Sequence, residues 1–153
     1  MKTAEEIVQE KNKELISVSF NTPIKDAVIV MLNNKIGTIL VKKDNKYIGF
    51  WTERDLLRNI SIKGFDLETA VIGDFLEAHI ETVPHTDNIF QLFDKFIGRN
   101  IRYMLVQKVD EYIGLISRGD VIRASLYEKN ETLRELNAIV SWEYYDNWRW
   151  KKE

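Results

Sequence analysis

The sequence predicts an α+β fold: two copies of a β-α-β-β-α unit packed sheet to sheet about a pseudo-twofold axis. Three observations lead there. The chain repeats itself at an offset of 65 residues without a gap, each copy alternates short apolar runs with amphipathic helical patterns, and each contains a Gly-x-x-Ser/Thr-x-x-Asp motif.

At that offset Val18 falls on Val83, Ile24 on Ile89, Ile36 on Ile101, and Leu40-Val41 on Leu105-Val106. Tyr47-Ile48-Gly49 falls on Tyr112-Ile113-Gly114, Asp55 on Asp120 and Arg58 on Arg123. One register held through strand, loop and helix marks a duplicated unit. The boundaries read from it are 1–66 for the first repeat with an N-terminal helix, 67–129 for the second, and 130–153 for a C-terminal helix and aromatic tail.

Thr3 with Glu6 three residues on has the form of a capping box, opening a short helix with Ile7 and Val8 turned inward. A short β segment follows, Ile16 to Phe20, matched by Ile80 to Val83. Thr22 is the expected N-cap of the next helix, with Pro23 at its first position. Ile24, Ala27, Val28, Met31 and Leu32 form its buried stripe, and Asp87 with Ile89, Leu92, Phe93, Phe96 and Ile97 repeats the pattern. Then come a buried strand (Ile39 to Val41; Met104 to Val106), a polar turn, a second strand (Tyr47 to Trp51; Tyr112 to Ile116) and a helix from near Asp55 or Asp120. The segment Gly73 to Leu76 holds the place before the second repeat that the N-terminal helix holds before the first.

A single unit of this size has helices on one sheet face and nothing on the other. Pairing two copies covers both and leaves two equivalent clefts, where small ligands usually bind.

Composition narrows the function. There is no cysteine among 153 residues, so disulfides and thiolate metal sites are excluded. No apolar run approaches a membrane span, and the acidic, polar start does not resemble a signal peptide. A cytoplasmic protein without a membrane partner is expected. The net charge of −2 is spread evenly, against the clustered basic face that nucleic acid needs. His79 and His85 lack metal-ligand spacing, and neither a Gly-x-Ser-x-Gly elbow nor a Walker loop occurs, so no metal, no catalytic residue and no enzyme activity are expected.

The sharpest local signal is Gly49-Phe50-Trp51-Thr52-Glu53-Arg54-Asp55, echoed by Gly114-Leu115-Ile116-Ser117-Arg118-Gly119-Asp120. A hydroxyl followed three residues later by an acid is a capping box. The same helix start can also hold an anion on its free N–H groups. Its carboxylate can then accept the two hydroxyls of a ribose, with Arg54, Arg102 and Arg118 as candidate partners for phosphate. Both readings are compatible with the sequence.

Over residues 3 to 127 the pattern resembles the CBS domain family, named for cystathionine beta-synthase, and in particular its tandem pair, the Bateman module. The resemblance is carried by Ile36 to Val41, Ile48 to Arg58, Ile101 to Val106 and Ile113 to Val121. It implies a stand-alone regulatory module that binds AMP, ADP, ATP or NAD between its repeats and signals by conformational change. AMP leads by family frequency, as a regulatory ligand with no catalytic cofactor. By resemblance Asp55 and Asp120 meet ribose, while Thr52, Ser117 and Arg102 meet phosphate. The adenine ring lies near Val18, Phe20, Val83, His85, Tyr103 and Met104. A homodimer and an effector protein of unknown identity are the implied partners.

The copies differ: Gly37 stands where the second has Arg102, and Gly119 where the first has Arg54. The second-repeat site is therefore expected to be the better nucleotide site.

The rival reading is a nucleotide-independent dimerisation or protein-interaction module. It would use Trp142, Tyr144, Tyr145, Trp148 and Trp150 as its contact, with the boxes serving only as caps. Packing of those rings on the module or on another subunit is the plainer expectation.

Overall fold

The computed structural model describes residues 1–129, so the predicted aromatic tail lies outside the described residues. The elements run α1 (Ala4–Lys11), β1 (Ser17–Ser19), α2 (Ile24–Asn34), β2 (Thr38–Lys43), β3 (Lys46–Thr52), α3 (Glu53–Ile60), α4 (Ile72–Phe75), β4 (Thr82–Pro84), α5 (Ile89–Gly98), β5 (Tyr103–Lys108), β6 (Glu111–Ser117) and α6 (Arg118–Lys129). The β-α-β-β-α order occurs twice, in an α+β fold with two three-stranded sheets.

Each sheet has the order short strand, central strand, hairpin strand. β1 runs parallel to β2 with Val18 opposite Val41, and β4 parallel to β5 with Val83 opposite Val106. The antiparallel hairpins β2-β3 and β5-β6 carry a register shift at matching places, after Val41 and after Val106. Asp44 and Asn45 take positive φ in the first turn, 50° and 63°, the geometry a two-residue hairpin prefers. In the second turn Val109 adopts φ 57°, a conformation that a β-branched side chain resists.

One face of each central strand is buried beneath helices. Ile39, Val41 and Trp51 join Ile24, Ala27 and Met31 in one core, while Met104, Val106 and Ile116 join Ile89, Leu92 and Phe96 in the other. Burying each of the Val, Leu, Ile, Met and Phe side chains among them stabilises by about 1.5–3 kcal/mol.

Two helix starts differ from the sequence expectation by one residue. Pro23, not Thr22, holds the cap position of α2 and makes no side-chain cap bond. The amide of Ile24 instead donates to the carbonyl of Ala70 at 2.8 Å, so backbone replaces the cap. Asn88, not Asp87, caps α5 in a box with Gln91, and the buried Asp87 pairs with Lys95.

In space the residues group as Glu14–Ile80 and as Met1–Lys13 with Glu81 onward. The 1–66 and 67–129 limits describe the duplication along the chain. The N-terminal helix is packed with the second sheet, and residues 67–80 lie with the first. The reason is local. Ala4 and Ile7 are buried in the core of Val83, Met104 and Val121, and the amides of Ala4 and Glu5 donate to the carbonyls of Asp87 and His85. In the unit of the first sheet, the amides of Ile72 and Gly73 donate to the carbonyls of Thr22 and Phe20.

Candidate functional site

In the unit Glu14–Ile80 the chain leaves β3 and enters α3 at Thr52. The Thr52 amide and hydroxyl donate to Asp55 Oδ2 at 2.9 and 3.0 Å, and the Asp55 amide returns a bond to Thr52 Oγ1 at 3.3 Å. The box engages one carboxylate oxygen only. Asp55 Oδ1 lies outside it, 3.6 Å from Arg58, and the side chain keeps 28% exposure. The amide of Glu53 is satisfied by the carbonyl of Gly37. Arg54 is exposed on the first turn of α3.

The same construction recurs where β6 enters α6. Ser117 donates its amide and hydroxyl to Asp120 Oδ2 at 2.8 and 2.9 Å, and the Asp120 amide donates to Ser117 Oγ at 3.2 Å. Asp120 Oδ1 lies 3.5 Å from Arg123. One addition distinguishes this copy: Lys11, in the last turn of α1, donates to Asp120 Oδ2 at 2.9 Å and to the carbonyl of Leu115 at 3.2 Å. The Asp120 side chain is correspondingly only 10% exposed. Burial pushes the Asp120 carboxyl up, but the Lys11 ammonium and the Ser117 donors outweigh it and hold it below the ordinary aspartate range.

The remaining candidates divide. Arg102 is exposed just before β5, and its carbonyl accepts from the Arg118 amide at 3.2 Å. The Arg118 guanidinium reaches back to the carbonyl of Ile101 at 2.7 Å and to Asn100 Oδ1 at 3.1 Å, which pins the α6 start to the loop after α5. Among the adenine candidates, Val83 and Met104 are core residues, 1% and 0% exposed. Val18, Phe20, Tyr103 and His85 are half-buried. His85 Nδ1 lies 2.9 Å from Glu5 on α1, and His85 with Val83, Gln107 and Thr86 borders an open cavity of about 370 Å³. Lys108 and His85, both bonded to Glu5, hold that carboxyl below its usual range.

Lys11 was not among the residues the sequence singled out. It falls four residues after Ile7 and seven after Ala4, on the buried stripe of α1, and a cation on an apolar stripe calls for a buried counter-charge. That was the available signal.

Two β-α-β-β-α repeats, each closing on a hydroxyl-carboxylate helix start, define a tandem-repeat module. The model for the CBS domain matches residues 4–62 and 72–127, and the chain belongs to the CBS domain family. A relative, the mitochondrial CBS domain-containing protein CBSX3 of Arabidopsis thaliana, is 32% identical over 126 residues, covering 79% of this chain and 61% of that protein. The chain thus spans less than two thirds of its length. A protein with CBS domains from Burkholderia ambifaria superposes with a TM-score of 0.77 at 21% identity, over 84% of this chain and 97% of that one. CBSX2, solved in complex with AMP, superposes with a TM-score of 0.68 at 23% identity, over 85% and 100% of the two chains. Among the described residues no helix is long and apolar enough to cross a membrane.

Proposed function

We propose that this protein is a regulatory module that binds adenosine-containing nucleotides at its two helix starts and signals by a change of conformation, without chemistry on the ligand. The observation that carries the reading is the division of labour within each carboxylate. In both copies Oδ2 closes the capping box, and Oδ1 stays outside it beside an arginine. Capping and ribose binding can therefore coexist in one side chain. Membership in the CBS family and the AMP bound by CBSX2 favour adenosine as the ligand class.

In this reading Asp55 and Asp120 accept ribose hydroxyls, and Thr52, Arg54, Ser117, Arg118 and Arg102 face phosphate. The adenine ring rests on Val18, Phe20, His85 and Tyr103 and on the backbone of Val83 and Met104. AMP is the leading ligand, with ADP, ATP and NAD as alternatives. Ligand acts by binding one conformation better than another. A thermal-shift panel tests this: at about a hundredfold excess over its dissociation constant, a ligand adds about 2.7 kcal/mol. Absence of any shift with AMP, ADP, ATP and NAD would overturn the reading.

Exposed apolar side chains at matching positions, Leu32 with Ile97 and Leu57 with Ile122, favour pairing into a homodimer. Light scattering of Leu57→Lys with Ile122→Lys tests it. A mass equal to the wild type's would count against these faces.

A further inference from the structure

The two helix starts have the same hydrogen-bond plan and different charges. On α3, Glu53 and Asp55 offset Arg54 and Arg58, leaving no net charge. On α6, Asp120 alone offsets Arg118, which is turned toward Ile101 and Asn100, and Arg123, which lies beside it, and Lys11 adds a third cation in contact with the carboxylate. The second start therefore carries two positive charges in excess. The residue 65 positions after Lys11 is Leu76, whose side chain packs among apolar neighbours beside Gly49 in the core of the first sheet. An ammonium has gone to one copy and an isobutyl group to the other.

Lys11 is also held rigidly enough to act as part of a site. Ala4 and Ile7 anchor α1 in the core, Glu5 is bonded to His85 and Lys108, and Val8 closes against Gly114. Among the described residues Leu115 and Asp120 take two of the three donors of the ammonium, whose side chain stays 25% exposed. A hydroxyl bound at Asp120 Oδ1 sits on the same carboxylate that Lys11 holds. The first phosphate of a ligand held there, one sugar ring away, then falls within about one Debye length of the ammonium, roughly 8–10 Å at ordinary salt, and each further phosphate adds charge to the same group.

We infer that Lys11 is a ligand-selecting cation of the Asp120 site and gives that site, but not the Asp55 site, a preference for the more highly phosphorylated adenosine ligands. The inference rests on the nucleotide-binding reading above and adds to it a residue and a charge rule. The first site lacks this charge, with Leu76 at the matching position.

The test is calorimetric titration of the full chain with adenosine, AMP and ATP in an Asp55→Ala background, which isolates the second site. ATP is expected to bind more tightly than AMP, and AMP more tightly than adenosine; equal affinities for AMP and ATP would overturn the inference. Adding Lys11→Met should weaken ATP about threefold to tenfold while leaving adenosine unchanged, and Lys11→Arg should restore most of the difference. Raising the salt should erode the ATP preference with Lys11 present and do little after its removal. An ATP-to-adenosine ratio that Lys11→Met leaves unchanged, or one that it raises, would overturn the inference. Because the ratio is internal to each variant, a general loss of stability does not mimic the effect. If the wild type itself takes up none of the three compounds, the nucleotide reading fails and this inference with it. Uptake with an unmoved ratio overturns the charge rule alone.

Discussion

The isopropyl group of Val8 lies directly over Gly114: a Cβ built on that glycine would stand 2.3 Å from Val8 Cγ1. α1 can approach β6 this closely only because the strand has no side chain there. Gly114→Ala is therefore expected to force the helix outward and to cost about 1–3 kcal/mol, read as a lowered melting temperature. Gly119→Ala is the contrasting control. Its Cβ would meet nothing nearer than Ser117 Oγ at 3.7 Å, and alanine should stabilise α6 by about 0.5–1 kcal/mol. Equal effects from the two would contradict the packing described.

Trp51 donates its indole N–H to Asn59 Oδ1 at 3.0 Å, both residues being buried. The second copy has Ile116 and Ala124 at these places, so the pair is a polar solution to a contact that the other unit makes with apolar groups. Asn59→Ala should strand the indole donor and cost about 1–3 kcal/mol. In a Trp51→Phe background the same change should cost much less, and denaturant unfolding of the four proteins measures the coupling.

Val109 occupies a left-handed turn position at φ 57°, where the first copy uses Asp44 at φ 50°. It is 82% exposed, so no packing compensates. Val109→Asn should stabilise by about 1 kcal/mol, and thermal unfolding reads it directly.

The Asp120 carboxyl is depressed in the folded state. Its contribution to stability is therefore fully present above the unfolded-chain value, about pH 3.9, and is lost as the pH falls through the lower folded value. Lys11→Met leaves burial opposed by the Ser117 donors without the ammonium, so the folded pKa should rise and the acid loss should begin at higher pH. Melting curves from pH 6 down to 3 for the two proteins check the sign. An acid limb that does not move to higher pH would mean that Lys11 does not set this carboxyl.

Much of this molecule is readable along the chain because its decisive patterns are local. The Thr52-to-Asp55 and Ser117-to-Asp120 boxes span three residues, and the stripes of α2 and α5 repeat every three to four, so both are legible locally, except that Leu32 and Ile97, expected in the buried stripes, lie exposed at their edges. The partnership of Lys11 with Asp120 spans 109 residues and depends on which sheet α1 covers. A capping box and an apolar stripe say that a helix forms, not where it docks. For the same reason the local pattern does not say that the side chains of Val83 and Met104 lie in the core with those of α1 and α5. Pro23 displaces the expected α2 cap because the Ala70 carbonyl, absent from any local window, satisfies that helix start, whereas Asn88 caps α5 through its own local box with Gln91.

The most direct measurement of the nucleotide reading is a crystal structure of the protein grown with AMP. The two ribose hydroxyls should lie within hydrogen-bonding distance of the Oδ1 atom of Asp55 or Asp120, with Thr52 or Ser117 still capping its helix through Oδ2. Ribose hydroxyls bonded elsewhere, with both carboxylates left to their capping partners and arginines, would contradict it.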